Sequence, residues 1–214
     1  MLRVEGLQVD IASASILRGV ALHVPSGAMA GLIGRNGAGK TTFMRSVMGL
    51  VRPREGRIEF GKIDLTRMHS HKRVGLGIGY MPEDRRLVPD FTAEQNVLLP
   101  AWSSRLKNAP ERLAWIYRLI PEVERFAGRR AEQLSGGQQK LVALARALMC
   151  GSRLLLLDEP FEGLAPALAR RLAEVLSALK EEGLSVLLAE SNERHVADLL
   201  DRIFVIERGS IQRQ

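Results

Sequence analysis

The chain has 214 residues, 46% of them hydrophobic, with a single cysteine, Cys150. That length and composition can bury the core of one domain with a smaller lobe, while an internal disulfide is excluded and no Cys/His spacing suits zinc. Lys and Arg number 31 against 24 Asp and Glu, a net charge of +7, but the basic residues are scattered, so a solvated surface is expected rather than a nucleic-acid stripe.

The apolar runs fall well short of the roughly 20 residues that cross a bilayer. The opening Met1-Leu2-Arg3-Val4-Glu5 lacks the apolar stretch of a signal peptide. A soluble chain that stays in the cytoplasm is expected. In chain order, the first thirty or so residues read as short strands broken by Pro25-Ser26-Gly27. Residues 28–33 read as a buried strand, and a helix runs from Lys40 to a stop at Gly49. Residues 78–81 form another strand. From about Asp84 to Arg146 the pattern is helical, with a capping box at Thr92-Ala93-Glu94-Gln95 that starts a helix at Ala93. Pro110 and Pro121 punctuate the later helical segments, and residues 136–150 place Leu141, Leu144, Ala145 and Leu148 at helical spacing. Cys150, at the end of that run, reads as a buried structural thiol. Trp102, Trp115 and Tyr117 read as core residues of the lobe. Strand character returns at 154–157, an amphipathic helix at 166–182, a strand at 184–189, a short helix at 193–201 and a last strand at 203–206. Strands alternating with helices predict an α/β fold with a mainly parallel sheet covered on both faces, and the helical stretch reads as an inserted lobe.

Three segments carry chemistry. Gly34-Arg35-Asn36-Gly37-Ala38-Gly39-Lys40-Thr41 matches G-x-x-x-x-G-K-[ST] at every fixed position, between a strand and a helix as that motif requires. Glycines let successive N–H groups point at phosphate oxygens, and the helix N-terminus adds a favourable dipole. Lys40 suits β- and γ-phosphates and the Thr41 hydroxyl suits Mg²⁺. The apolar strand at 154–157 ends in Asp158-Glu159, which places both acids at the carboxyl edge of the sheet. Asp158 is suited to hold Mg²⁺ through water and Glu159 to polarise an attacking water. Finally, Leu134-Ser135-Gly136-Gly137-Gln138-Gln139 precedes a helix, with Ser135 at the N-cap. A second phosphate-recognising end on one chain suggests a site completed by another subunit.

The order and spacing of these motifs resemble the ATP-binding cassette (ABC) ATPase family over essentially the whole chain. The resemblance implies a P-loop NTPase core (1–83 and 147–214) with an N-terminal antiparallel β portion and a helical signature subdomain (84–146). It also implies ATP and Mg²⁺ as ligands and a head-to-tail pair of domains that sandwiches two ATP molecules. The phosphate-binding set would be residues 34–42, including Thr42, with Ser135, Gly136, Gly137 and Gln138 supplied to the partner's γ-phosphate. Closure on ATP would move attached membrane subunits.

The chain departs from the family pattern in places. Ile11 stands near the usual adenine-stacking aromatic. Glu83 replaces a glutamine that senses Mg²⁺, so it becomes a candidate metal ligand. Gly163-Leu164-Ala165-Pro166 replaces a segment that usually ends in Leu-Asp. Ser191 stands where a histidine usually completes the catalytic set, and it can donate one hydrogen bond but carries no positive charge. His195, on the helix expected at 193–201, reads as a surface residue rather than a replacement. These departures fit either a weakened, regulatory ATPase or a subfamily habit. Met81-Pro82-Glu83-Asp84-Arg85-Arg86, Phe91-Thr92-Ala93-Glu94-Gln95-Asn96 and residues 163–166 are similar to the shorter ATPase subunit of branched-chain amino-acid and related importers. That resemblance implies permease transmembrane subunits, a second ATPase subunit, indirectly a solute-binding protein, and a place at the cytoplasmic face of the membrane, with no nucleic-acid partner. A soluble non-transport ABC ATPase and a weakly active partner in a heterodimer remain the alternatives.

Overall fold

In a computed structural model, residues 1–194 and 196–213 are described. Two antiparallel strands open the chain, β1 (Leu2–Ile11) and β2 (Ala14–Val24), followed by β3 (Met29–Ile33) and helix α1 (Lys40–Met48). The first two are long strands, not the short ones expected: the buried–exposed alternation breaks at Glu5-Gly6 in β1 and at Arg18-Gly19 in β2, and irregular pairing there carries each strand past the break. Next come β4 (Glu55–Phe60), β5 (Ile63–Asp64), the short helix α2 (Ser70–Val74) and β6 (Ile78–Met81). The helical stretch contains α3 (Ala93–Ser104), α4 (Ala109–Leu119), α5 (Pro121–Arg125) and α6 (Gly136–Cys150). The chain returns through β7 (Leu154–Asp158), α7 (Pro166–Glu181), β8 (Ser185–Glu190), β9 (Arg202–Glu207) and β10 (Ser210–Arg213).

The strands form two sheets. One is four-stranded and antiparallel, in the order β2-β1-β4-β5. The other is six-stranded, in the order β10-β9-β3-β8-β7-β6. Its strands β9, β3, β8, β7 and β6 run parallel, and only β10 pairs antiparallel at the edge. The four leucines of β7 explain its central place. Leu155 and Leu157 join an apolar cluster with α3, α4, α6 and α7, while Leu154 and Leu156 join another with α1, β1, β2 and β4. A strand covered on both faces needs a continuous apolar run. No helix among the described residues is long and apolar enough to cross a membrane.

Local signals set the helix ends. Thr92 and Ser135 each cap their helix with a full capping box, closed by Gln95 and Gln138. Gly49 closes α1 in the left-handed conformation, φ 78°, with its N–H on Arg45 and Ser46 carbonyls. Cys150 is buried, as expected.

Some expectations change. The described part of 193–201 holds only a 3₁₀ turn at Ala197–Leu199 rather than the expected helix, although Val196 is buried in the core and Leu199 and Leu200 pack against it; His195 lies outside the described residues. The strand expected to end the fold is followed by β10, whose antiparallel pairing gives β9 a partner on its other side. Trp102 is 52% exposed on α3 rather than in the core. Trp115 and Tyr117 are only partly buried, their polar atoms bonded to Glu182 and to Glu94.

Candidate functional site

Parallel register aligns the carboxyl ends of β3, β8 and β7, with Ile33 opposite Glu190 and Ala189 opposite Asp158. The phosphate loop, Asp158-Glu159 and Ser191 therefore emerge from one edge, where α/β sheets bind ligands. Gly34 donates its N–H to the Glu190 carbonyl at 3.0 Å. A Cβ at Gly34 would strike the Ile206 carbonyl, and Gly39 holds φ 110° at the mouth of α1, so the loop's path requires glycine at both places.

A cavity of about 450 Å³ opens over this loop, lined by Asn36, Gly37, Lys40, Thr41, Glu83 and Glu159 among others. Gly39, Thr42, Ile16 and Glu162 complete the wall. Ala38 is buried beneath it, and Arg35 is exposed at its side. Lys40 is 5% exposed; its ammonium donates to the Gly34 carbonyl at 2.5 Å and pairs with Glu159 Oε1 at 2.9 Å. The Glu159 carboxylate also accepts the Ser191 N–H at 3.2 Å and lies 3.0 Å from the Ser191 hydroxyl, which is 3.1 Å from Asn36 Oδ1. One hydroxyl proton serves one acceptor at a time, so Ser191 can orient Glu159 or Asn36 but adds no charge.

Asp158 is fully buried at the floor. Its carboxylate accepts from Thr41 Oγ1 at 3.1 Å and from the Tyr80 hydroxyl at 3.3 Å. Burial pushes its pKa up to about 6; the two hydrogen bonds oppose that rise, and the charges of Glu83 and Glu159 add to it. Asp158, with Glu83 and Glu159 nearby and the Thr41 hydroxyl beside it, offers a hard-oxygen donor set whose charge a divalent cation would offset. Among the described residues no three His, Cys, Asp or Glu side chains could hold a metal by themselves. Thr41 and Asp158 thus suit Mg²⁺ shared with phosphate oxygens, and Glu83, exposed on the cavity wall, can add a carboxylate.

Ser135, Gly136, Gly137 and Gln138 are not part of this wall. Ser135 and Gly136 are exposed at the N-terminus of α6, and the capping box locks Ser135 to Gln138. The segment that follows Glu83 is strained: Arg85 and Arg86 sit at φ 59° and 50°, with their carbonyls held by Arg146 of α6. Ile11 is 47% exposed and outside the cavity lining, whereas Ile16 on β2 supplies an apolar wall.

Sequence reading missed Lys140, Glu190, Ile16 and Tyr80. Lys140 left one signal, a lysine on the apolar face of α6 with the buried Ala143, Leu144 and Ala147. It is buried, and its ammonium donates to the Glu159 and Glu162 carbonyls, the first at 2.8 Å. Glu190 is 6% exposed and accepts the Phe161 N–H at 3.0 Å. Burial pushes its pKa up to about 8, with the neighbouring Glu159 adding and Lys140 opposing.

A glycine-rich loop, its lysine, and two strand-end acids on a mainly parallel sheet define a P-loop nucleotide-binding domain. Residues 17–162 match the ABC transporter family, and the chain belongs to that family: it is an ATP-binding subunit of the transporter class. The relatives differ in cargo. The chain is 34% identical to the lipopolysaccharide export ATP-binding protein LptB of Acidithiobacillus ferridurans, over 92% of this chain and 82% of that one. It is 33% identical to the branched-chain amino-acid transport protein BraG of Pseudomonas aeruginosa, over 91% and 84%. Lipopolysaccharide-export and branched-chain amino-acid transport relatives thus stand at nearly equal distance. Among solved structures, the dimeric post-hydrolysis state of the cassette MJ0796 with ADP and Pi superposes with a TM-score of 0.85 at 27% identity, over 100% of this chain and 97% of that one. ABC cassettes bind ATP and ADP, hydrolyse ATP, dimerise and work with transmembrane permease subunits.

Proposed function

We propose that this chain is the ATP-hydrolysing subunit of an importer of branched-chain amino acids or related small amide solutes, seated on its permease at the cytoplasmic face of the membrane. The observation that carries the ATPase reading is the buried Lys40–Glu159 pair at 2.9 Å, beside Thr41 and Asp158 on one sheet edge. Lys40 holds the β- and γ-phosphates once its ammonium leaves the loop carbonyls, and the loop N–H groups with Thr42 take up the rest of the phosphate charge. Thr41, Asp158 and Glu83 would hold Mg²⁺, which would supply charge neutralisation at the phosphates. Glu159 accepts the proton of the attacking water, and Ser191 orients its carboxylate. Exposed Ser135 and Gly136, with Gly137 and Gln138, complete the site of a second ATPase subunit.

A groove of about 400 Å³ suits the permease. Met48, Leu50, Val74 and Leu99 give it an apolar lining, and Arg45, Arg86 and Arg146 supply cations. Residues 84–146 would form its outer wall. The import direction rests on the resemblance of residues 81–86, 91–96 and 163–166. The second reading, lipopolysaccharide export, is favoured by the similarity to LptB.

The test is affinity purification from gently solubilised membranes, with ATP turnover measured on the isolate. Co-purifying multi-span permeases of an amino-acid importer, and loss of turnover by at least about 100-fold in Glu159→Gln with ATP binding kept, are expected. Recovery of a lipopolysaccharide export assembly would promote the second reading. Wild-type turnover no higher than that of Glu159→Gln would reduce the chain to an ATP-binding partner.

A further inference from the structure

Two buried ionisable side chains touch the turn after β7 and have no part in binding phosphate or metal. They are Lys140 from α6 and Glu190 from the end of β8. We infer that Lys140 and Glu190 are positioning residues that clamp the turn carrying Glu159, and that Lys140 thereby ties this turn to the helix capped by Ser135. The inference rests on Glu159 being the base.

Glu159 sits at φ 50°, a left-handed backbone that a residue with a Cβ adopts only when its surroundings impose it. Three bonds impose it here. Its N–H donates to the Ala189 carbonyl at 3.0 Å, its carbonyl accepts Lys140 Nζ at 2.8 Å, and two residues on the Phe161 N–H donates to Glu190 Oε1 at 3.0 Å. Lys140 also holds the Glu162 carbonyl, so a single ammonium spans the turn. Relaxing the turn toward an ordinary conformation would swing the Glu159 carboxylate away from Lys40 and Ser191. Burial lowers the pKa of Lys140; nearby Glu162, Glu190 and Glu159 work against that fall, and Arg85 adds to it. Lys140 lies on the same continuous helix as the Ser135 cap, within its first turns. The α6 end offered to a partner's nucleotide is therefore joined by one side chain to this chain's own base.

The experiment compares Lys140→Met, Lys140→Arg and Glu190→Leu in the full chain, each with and without Glu159→Gln, reading kcat and the Kd of a fluorescent ATP analogue. A misplaced base costs up to about 100-fold in rate. Lys140→Met and Glu190→Leu should each lower kcat about 30- to 100-fold and leave Kd within about twofold. Lys140→Arg, which keeps the donors, should recover most of the rate. In the Glu159→Gln background, Lys140→Met should slow the residual turnover no further, because it acts through that carboxylate. Wild-type kcat in Lys140→Met would overturn the inference, as would an equal further loss on top of Glu159→Gln, or kcat and nucleotide affinity collapsing together. A Glu159→Gln chain that turns over normally would sink the base assignment, and this inference with it.

Discussion

Glu190 shows how burial makes a residue pH-sensitive. Its carboxyl sits beneath the Glu159 turn, facing Glu159 and Lys140, and desolvation carries its pKa from 4.5 to about 8. The folded chain then keeps a proton that the unfolded chain releases between those values. Stability from this group is complete at low pH and is lost as pH rises through about 8. Thermal melting without nucleotide should give a midpoint that falls as pH rises from about 4.5 to about 8 and levels off above, and Glu190→Gln should flatten the fall. The amide keeps an acceptor for the Phe161 N–H, so turnover should persist. An equal slope in both proteins would rule out Glu190 as the source. Ser191 belongs to the same scale. Without a histidine, the carboxylate of Glu159 is still held by an N–H and a hydroxyl, which preserves orientation while giving up a charge.

Between elements, Arg73 does the comparable work for the phosphate helix. It is 1% exposed on α2, and its guanidinium donates to the carbonyls of Ser46 and Val47 at the end of α1 and to those of Leu65 and Met68. Burial lowers its pKa to about 10, so it stays charged at neutral pH. A planar fork with five N–H donors meets the orphan carbonyls of a helix end, where a cation is also favoured by the helix dipole. Arg73→Ala strands those carbonyls and opens a cavity. It should lower the unfolding free energy by about 3 kcal/mol, measured by urea titration. A change below about 0.5 kcal/mol would mean that water replaces the guanidinium without penalty. Composition alone hides this role, because an arginine after two histidines and a lysine reads as one more surface charge.

On the scale of the whole molecule, the Lys40 cavity and the exposed Ser135 cap are separate features of one chain, and under the proposed function each of them is half of a site. Two chains head to tail would complete two sites. The Glu159→Gln chain should therefore elute as a dimer in millimolar ATP during size-exclusion chromatography and as a monomer in ADP. Adding Ser135→Asp, which sets a carboxylate against the γ-phosphate, should return it to monomer. A monomer in ATP at every concentration would refute the composite site.

How much could be read without coordinates depends on the range over which each signal acts. The phosphate loop, the Asp158-Glu159 strand end, the Thr92 capping box and the Ser135 N-cap were legible because their geometry is local. The needed atoms lie within a few residues, and glycine, hydroxyl and amide side chains act on their own backbone. The apolar runs of β7 and β8 announced buried strands, yet four leucines look the same in any strand order. Only the tertiary structure decided that β8 lies between β3 and β7, and so brought Ser191 and Glu190 onto Glu159. Only it buried Lys140 under the turn that carries Glu159 and Arg73 under α1, left Trp102 exposed, and reduced the described part of 193–201 to a single 3₁₀ turn. Those outcomes depend on which surfaces meet across long sequence separations, where desolvation and pairing override what each residue type favours alone.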